Sequence, residues 1–526
     1  MADTDFILLW GSNARETHPI LFHHLLKAIK HGARMAVIDP RRSASAQFAQ
    51  AWLGLDVGSD ISLANAMARE IIHAGLANEK FVRQATSGFE AYRDSVEKYN
   101  LERAERETGV PAVLIRETAH AYAKAKRAQL CWTLGITEHH NAVDNVLALI
   151  NLALLTGHVG RYGSGINPLR GQNNVQGGGD MGAIPDRFPG FQHVENAEIR
   201  TKFEKAWSVK LPSKRGLHVT GMFEAMEHGT LTCLYVLGEN PAASEADAKR
   251  ASKLLDGLEF LVVQDLFYTD TARLADVVLP GAAGWCESEG TVTNSERRVQ
   301  RVRAAVAPPA GVMDDTAILF ELARRMGHDW GEPRAEAIWN ELRGLSPMHA
   351  GMSYARLEAL GGIQWPCYDE SHPGEQYLHS RLWQEPLLGP RAPFSCVEFE
   401  PPVDRLTPEF PLRLTTGRRL DSYNTGAQSG KYSSPLRRPE TLDLSPEDGA
   451  HYGLCEGEQV RIRSRRGSVE APVHLDGNLR PGLAFMTLHF PEQVRTNDLT
   501  IEAPDPKSGT SEFKATAIAI EKVQEK

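Results

Sequence analysis

Through its first third the chain alternates short apolar runs with amphipathic stretches, and no other feature constrains the fold as much. Phe6–Trp10 reads as a strand, residues 18–31 as a helix, residues 33–38 as a second strand and residues 62–74 as a second helix. That order specifies a parallel sheet with helices on both faces. The turn Gly11-Ser12-Asn13-Ala14-Arg15-Glu16-Thr17 leads from a strand into a helix, so its amides can face an anion at the helix N-terminus. Asp39-Pro40-Arg41-Arg42 puts a carboxylate at a strand's C-terminal end, where an open α/β sheet receives the ribose or base of a nucleotide. Gly58-Ser59-Asp60 makes a third turn, with Asp60 placed to cap the next helix. No Gly-x-Gly-x-x-Gly follows the first strand, so nicotinamide binding is not favoured.

The strand-then-polar-turn pattern recurs downstream. Residues 234–237 run into Gly238-Glu239-Asn240-Pro241, and residues 261–264, ending on Gln264, are followed by Asp265, which predicts a second α/β domain. Residues 285–402 mix helices at 317–326 and 335–342 with Pro and Gly breaks and read as connecting structure. From residue 412 strands dominate, at 412–415, 459–463, 468–475 and 483–488, the pattern of a β-barrel. One helix interrupts them, announced by Ser445 as N-cap, Pro446 at the first helical position and Asp448 closing an acidic capping box. The fold class is α/β: two dinucleotide-binding-like αβα domains plus a C-terminal barrel.

Composition narrows the function. With 42% hydrophobic and 24% charged residues the chain is of the soluble globular type, and a net charge of −9 argues against a nucleic-acid surface. The longest apolar run, residues 146–156, contains Asn151 and is too short to cross a bilayer. The acidic start Met1-Ala2-Asp3-Thr4-Asp5 is no secretory signal, which points to a cytoplasmic location. Cys131, Cys233, Cys286, Cys367, Cys396 and Cys455 are far apart and form no Cys-x-x-Cys pair, so the expectation is scattered, mostly buried thiols and no metal-ligand set in this chain.

The segment from Asn167 to Asp180 packs one cation, five side-chain amides and four glycines into fourteen residues. It reads as a binding loop in which Gly171, Gly177, Gly178 and Gly179 turn through positive φ and approach a ligand closely. A solvated Gly/Asn-rich turn is the alternative. Arg170 offers a planar fork of donors suited to a carboxylate or phosphate; the plainer reading pairs it with a nearby acid such as Asp180.

Taken together, these motifs resemble the catalytic subunit of molybdenum- or tungsten-dependent formate dehydrogenases, within the bis-molybdopterin guanine dinucleotide oxidoreductases. The resemblance runs from end to end. Its most specific part is Asn167-Pro-Leu-Arg-Gly-Gln-Asn-Asn-Val-Gln-Gly177, followed by Asp180-Met-Gly182 and Phe188-Pro-Gly190. Gly11-Ser12-Asn13, Asp39-Pro40-Arg41, Gly238-Glu239-Asn240-Pro241, Gln264-Asp265 and Asn497 add to it.

The resemblance implies a pterin-nucleotide-binding αβα domain over 1–172, a partial second αβα domain over 173–284, connecting segments over 285–402 and a dinucleotide-binding barrel over 403–526. One nucleotide would lie along Gly11, Ser12, Asn13, Glu16, Asp39, Pro40, Arg41, Gly58 and Asp60. The other would lie along Gly238, Glu239, Asn240, Ser244, Gln264, Asp265 and the barrel residues Arg418, Asn497, Phe513 and Lys514. Arg170 would dock the formate carboxylate and orient its C–H bond while formate loses two electrons to the metal centre and leaves as CO2, with Gln172 a pterin-side contact.

The family's [4Fe–4S] cluster and the cysteine or selenocysteine that ligates the metal have no counterpart in this sequence. The resemblance therefore implies a C-terminal portion, lacking roughly a quarter to a third of a typical subunit, with electron-transfer subunits or an N-terminal half as partners. A non-catalytic module that binds a pterin nucleotide or a partner is the competing expectation. Two positions depart from the family pattern: Glu138 stands where glutamine is usual and Ser422 where histidine is common.

Overall fold

All five side chains of the first strand, β1 (Phe6–Trp10), are buried, because helices cover both faces of the sheet it centres. The computed structural model describes residues 1–427 and 438–523. Two compact units result: Met1–Leu169 with Ala243–Ala251 and Tyr377–Lys526, and Arg170–Ala242 with Ser252–Gln376.

In chain order the first unit continues with α1 (Pro19–Lys30), β2 (Arg34–Ile38), β3 (Ala51–Leu53), α2 (Asp60–His73), α3 (Ala112–Lys124), β4 (Ala128–Trp132), α4 (Ala142–Thr156) and β5 (Gly165–Pro168). The strands form one parallel sheet in the order β3-β2-β1-β4-β5, with Trp10 opposite Ile38 on one side and Trp132 on the other. Period-two geometry divides β1 between two cores. Leu8 and Trp10 pack with Ile61, Met67, Ile115 and Leu149, whereas Ile7 and Leu9 pack with Phe22, Leu25 and Cys131. The apolar run at 146–156 is the buried body of α4, and Asn151 within it donates to Ser395 O at 2.7 Å and accepts from Ser395 N at 3.0 Å.

Asp60 does not cap α2. Ser59 holds the cap position, and Asp60 sits inside the helix, 5% exposed, accepting a 2.7 Å hydrogen bond from Trp10 Nε1. A buried indole N–H needs an acceptor, and this carboxylate supplies it.

The second unit contains α5 (Val175–Asp180), β6 (Cys233–Leu237), β7 (Phe260–Asp265), β8 (Val277–Pro280), β9 (Gly290–Thr293), β10 (Arg298–Val302) and β11 (Ile363–Gln364). Strands β8-β7-β6 form a parallel sheet, as the repeated strand-turn pattern predicts. The stretch read as connecting structure includes an antiparallel sheet, β9-β10-β11, around a core of Val299, Trp339, Met352 and Tyr354. Val292 stands between threonines in β9, and Val299 and Val302 are set among arginine and glutamine in β10, so no apolar run announces them.

Back in the first unit follow β12 (Leu412–Gly417), β13 (Leu442–Leu444), α6 (Pro446–Tyr452), β14 (Gln459–Arg463), β15 (Ser468–Leu475), β16 (Leu483–Thr487) and β17 (Thr516–Lys522). They close a barrel in the order β12-β16-β13-β15-β14-β17. Inward Val460 and Ile462 alternate with outward Gln459 and Arg461. The cap of α6 is as expected: Asp448 N donates to Ser445 Oγ at 3.0 Å, and Ser445 Oγ donates to Asp448 Oδ2 at 2.8 Å.

The thiols differ from expectation. Cys131 and Cys367 are buried and Cys286 is half-buried, but Cys233, Cys396 and Cys455 are exposed. Among the described residues no helix is long and apolar enough to cross a membrane.

Candidate functional site

The first sheet reverses its winding between β1 and β4, and the turns after these strands meet there. Thr133 Oγ1 donates to Gly11 O at 2.7 Å and Gly135 N to the same oxygen at 3.2 Å. A Cβ on Gly135 would lie 2.6 Å from Gly11 O, and Gly11 itself takes φ +55°. Such a switch point at the C-terminal ends of parallel strands is where open α/β sheets receive ligands.

Around it stand most of the residues singled out for the first nucleotide. Asn13 Oδ1 accepts from Ser45 N at 3.2 Å and Ser45 Oγ at 3.0 Å, tying the β1 turn to the loop after β2. Asp39 Oδ1 accepts from Arg41 N at 2.9 Å across Pro40. Burial pushes the carboxyls of Asp39 and Glu16 up, against the opposing pull of Arg41 in each case. The Arg41 guanidinium lies 3.6 Å from the centroid of Phe485, on barrel strand β16, a stacked geometry that arginine favours. Gly58 and Asp60 are drawn into the protein instead. A Cβ on Gly58 would meet Pro402 at 2.8 Å, and Asp60 is committed to Trp10.

Two barrel residues expected beside the other nucleotide, Phe513 and Lys514, come to this same place. Lys514 Nζ lies 2.6 Å from Glu138 Oε2 and donates to Thr416 O at 3.1 Å, and Phe513 N donates to Glu138 O at 3.2 Å. Beneath them is a buried pair. His139 Nδ1 faces Glu512 Oε1 at 3.1 Å and its Nε2 faces Gly135 O at 3.1 Å. Two acceptors require two ring N–H groups, the charged imidazole. Burial would lower the His139 pKa, but the Glu512 carboxylate outweighs it and the shift is upward.

Arg418 donates to Asn424 Oδ1 and lies over Tyr423, with half-buried Ser422 in the same loop. That loop closes on a histidine from elsewhere in the chain. Arg419 N donates to His489 Nε2 at 3.0 Å, His489 Nδ1 faces Asn424 O at 2.6 Å, and burial drives the imidazole pKa down to about 4. Asn497 donates to Ala243 O at 3.0 Å and Ser244 O at 3.1 Å, so its amide fastens that segment.

In the second unit the strand-end residues split. Gly238 follows β6 at φ +64° with open space where a Cβ would stand, and Glu239 beside it is exposed. Asn240 Oδ1 accepts from Thr271 N at 3.1 Å and Thr271 Oγ1 at 2.8 Å. Gln264 donates to Asp315 Oδ1 at 2.6 Å and accepts from Tyr235 OH. Asp265 Oδ1 accepts from Phe267 N at 2.9 Å, and burial raises its carboxyl.

The Asn167–Asp180 segment is not a loop of left-handed glycines. Gly177, Gly178 and Gly179 lie in helix α5, and the positive φ falls on Asn174 (61°) at its N-cap and on Gly182 after it. Gly177 is needed for space: a Cβ there would lie 1.9 Å from Asn174 Oδ1, which accepts from Thr293 N at 2.9 Å. Arg170 Nε donates to Gln176 Oε1 at 3.1 Å, and Gln176 Nε2 donates to Asp180 Oδ1 at 2.8 Å. The arginine therefore reaches the acid through an amide. Gln172 is exposed.

Residues 1–325 match the molybdopterin oxidoreductase family, and residues 412–517 match its molybdopterin dinucleotide binding domain. The chain belongs to this family. It is 40% identical to the F420-dependent formate dehydrogenase 2 subunit alpha of Methanococcus maripaludis, over 99% of this chain and 77% of that protein. It is 36% identical to formate dehydrogenase H of Escherichia coli, over 99% of this chain and 73% of that protein. Among solved structures, acetylene hydratase from Pelobacter acetylenicus has the same fold, with a TM-score of 0.73 and 22% identity over 99% of this chain and 78% of that one.

The residues of this molybdopterin oxidoreductase fit the cofactor its family implies. Ser12 and Ser43, buried in the turns after β1 and β2, have hydroxyls with no hydrogen-bond partner among the described residues, and a buried hydroxyl calls for an acceptor or donor such as a ligand supplies. Gly238 leaves room for close backbone approach. Sequence reasoning missed Ser43, Phe485, His139 and Glu512. Ser43 lies one residue past the Asp39–Arg42 turn and was within reach of the strand-end argument, whereas Phe485 is indistinguishable from its barrel-strand neighbours.

Proposed function

We propose that this chain is the C-terminal portion of a formate dehydrogenase catalytic subunit, acting in the cytoplasm with partner segments or subunits that carry electrons away. The cofactor would be a bis-molybdopterin guanine dinucleotide with molybdenum or tungsten, which accepts the two electrons as formate becomes CO2. The observation that carries the reading is the tethered Arg170: its Nε–H is held by Gln176, within the segment on which the resemblance to formate dehydrogenases is most specific. Arginine's planar fork matches a carboxylate, and docking through it fixes the direction of the formate C–H bond.

Each group of strand-end residues has a part in holding the nucleotides. Ser12 and Ser43 would hydrogen-bond phosphate or ribose oxygens at the β1 and β2 ends. Asp39, when ionised, only accepts, which suits the N–H groups of guanine or the ribose hydroxyls. Arg41, held over the Phe485 ring, would offer a guanidinium to the pyrophosphate. Gly238 and Glu239 would do the corresponding work for the other nucleotide.

The test is to purify the chain with its partners, measure metal and pterin content, and assay formate-dependent dye reduction. Arg170→Ala is expected to lower kcat/KM for formate by about a hundredfold with metal content retained. A metal-loaded protein without formate turnover overturns the proposal. Pterin binding with neither metal nor turnover favours the non-catalytic module.

A further inference from the structure

Asp180 is 1% exposed and lies four residues after Gln176, on the same face of α5. Its position is fixed from both sides, since Gly190 N donates to its carbonyl at 2.7 Å while its carboxylate Oδ1 takes the Gln176 amide at 2.8 Å. An ionised carboxylate can only accept. It therefore selects one of the two orientations of the Gln176 amide, with NH2 toward Asp180 and the carbonyl toward Arg170. That carbonyl then takes Arg170 Nε–H at 3.1 Å, and holding Nε restrains rotation of the planar guanidinium.

We propose that Gln176 and Asp180 are positioning residues that set the plane of the Arg170 guanidinium for a carboxylate substrate, with Asp180 choosing the amide orientation and Gln176 transmitting it. This rests on the formate reading for the identity of the carboxylate and on the two hydrogen bonds for the relay. Asp180→Asn keeps shape and volume but can both donate and accept, so it no longer dictates which way Gln176 faces. Gln176→Ala removes the link altogether.

The experiment uses the full chain labelled with 15N-arginine, the Arg170 Nε–H resonance being identified by its loss in Arg170→Lys. That resonance is expected to exchange slowly with solvent, to move when formate is added, and to exchange at least about tenfold faster in Asp180→Asn and Gln176→Ala. In the holoenzyme the same two variants are expected to raise KM for formate about tenfold with kcat changed much less. In the Arg170→Lys background, Asp180→Asn is expected to add nothing further, because residues acting in one chain are non-additive. An Arg170 resonance and a formate KM that Asp180→Asn and Gln176→Ala leave unmoved overturn the relay. So does an Asp180→Asn effect that persists in full in the Arg170→Lys background. Slow Nε exchange that responds to Asp180→Asn but not to formate upholds the relay and counts against the formate reading instead.

Discussion

Lys514 Nζ stands 2.6 Å from Glu138 Oε2, joining the segment before barrel strand β17 to the turn after β4. Lys514 is 8% exposed, and its other acceptor is the Thr416 carbonyl. The carboxylate at position 138 thus balances a buried cation. Glu138→Gln is therefore expected to destabilise this protein by about 1–3 kcal/mol, because it leaves the ammonium without its counter-charge. Urea unfolding midpoints measure this. Adding Lys514→Met is expected to return part of the loss; equal losses in the presence and absence of Lys514 would show that the pair is not coupled.

His139 and Glu512 give the first unit a pH dependence of known sign. His139 is shifted above the ordinary histidine value of 6.5, so its contribution is complete below 6.5 and fades as pH rises through the shifted value. Glu512 is also buried, but the His139 charge and hydrogen bonds from His139 and His140 hold its carboxyl below the ordinary 4.5. Its contribution is complete above 4.5 and fades only in acid. The pair is expected to stabilise most between 4.5 and 6.5. His139→Gln is expected to cost about 3 kcal/mol at pH 6 and to flatten the decline of the unfolding midpoint above that pH. A variant whose alkaline decline matches the wild type removes His139 from this role.

Local pattern carried the architecture further than it carried the site. The β1 and β14 strands are legible because burial is written into neighbouring residues, as a continuous apolar run in one and strict alternation in the other. Asp60 at a turn looks like a cap, and nothing nearby reveals that Trp10, fifty positions earlier, claims it. Glu512 and His139 meet across 373 positions. The glycines of 177–179 signalled unusual backbone, yet what Gly177 provides is room for an amide. Chemistry-bearing residue types were visible in the sequence, but which of them are already committed to other side chains depends on long-range packing.

Two glycines separate structural need from ligand need. Gly135→Ala drives a Cβ into Gly11 backbone, 2.6 Å from its oxygen, and is expected to cost about 2 kcal/mol or more, with loss of bound pterin. Gly238→Ala meets nothing within 4 Å, so only the strain of a left-handed alanine, about 1 kcal/mol, is expected in stability. If the backbone at Gly238 approaches a nucleotide, pterin content nevertheless falls in this variant. Circular dichroism melting beside pterin quantification reads both, and a Gly238→Ala protein with full pterin content would remove that residue from the site.

In the proposed relay Asp180 sets stability against formate binding, and the two respond to pH with opposite sign. Burial pushes its carboxyl up to about 6, past the opposing pull of Gln176, Trp365, Arg170 and Arg297. Because the folded value lies above the ordinary 3.8, the ionised group works against folding increasingly as pH rises from 3.8 to 6, on the order of 1–3 kcal/mol at neutral pH. Formate recognition runs the other way, since only the ionised acid fixes the Gln176 amide. The KM for formate is expected to rise as pH falls through about 6. Asp180→Asn is expected to abolish this rise, to bind formate weakly at every pH, and to unfold at higher urea concentration than the wild type at pH 7.5. A residue of purely structural importance would lose stability and binding together. An Asp180→Asn protein that is less stable, with the wild-type pH profile of KM intact, would therefore return Asp180 to an ordinary place in the packing of α5.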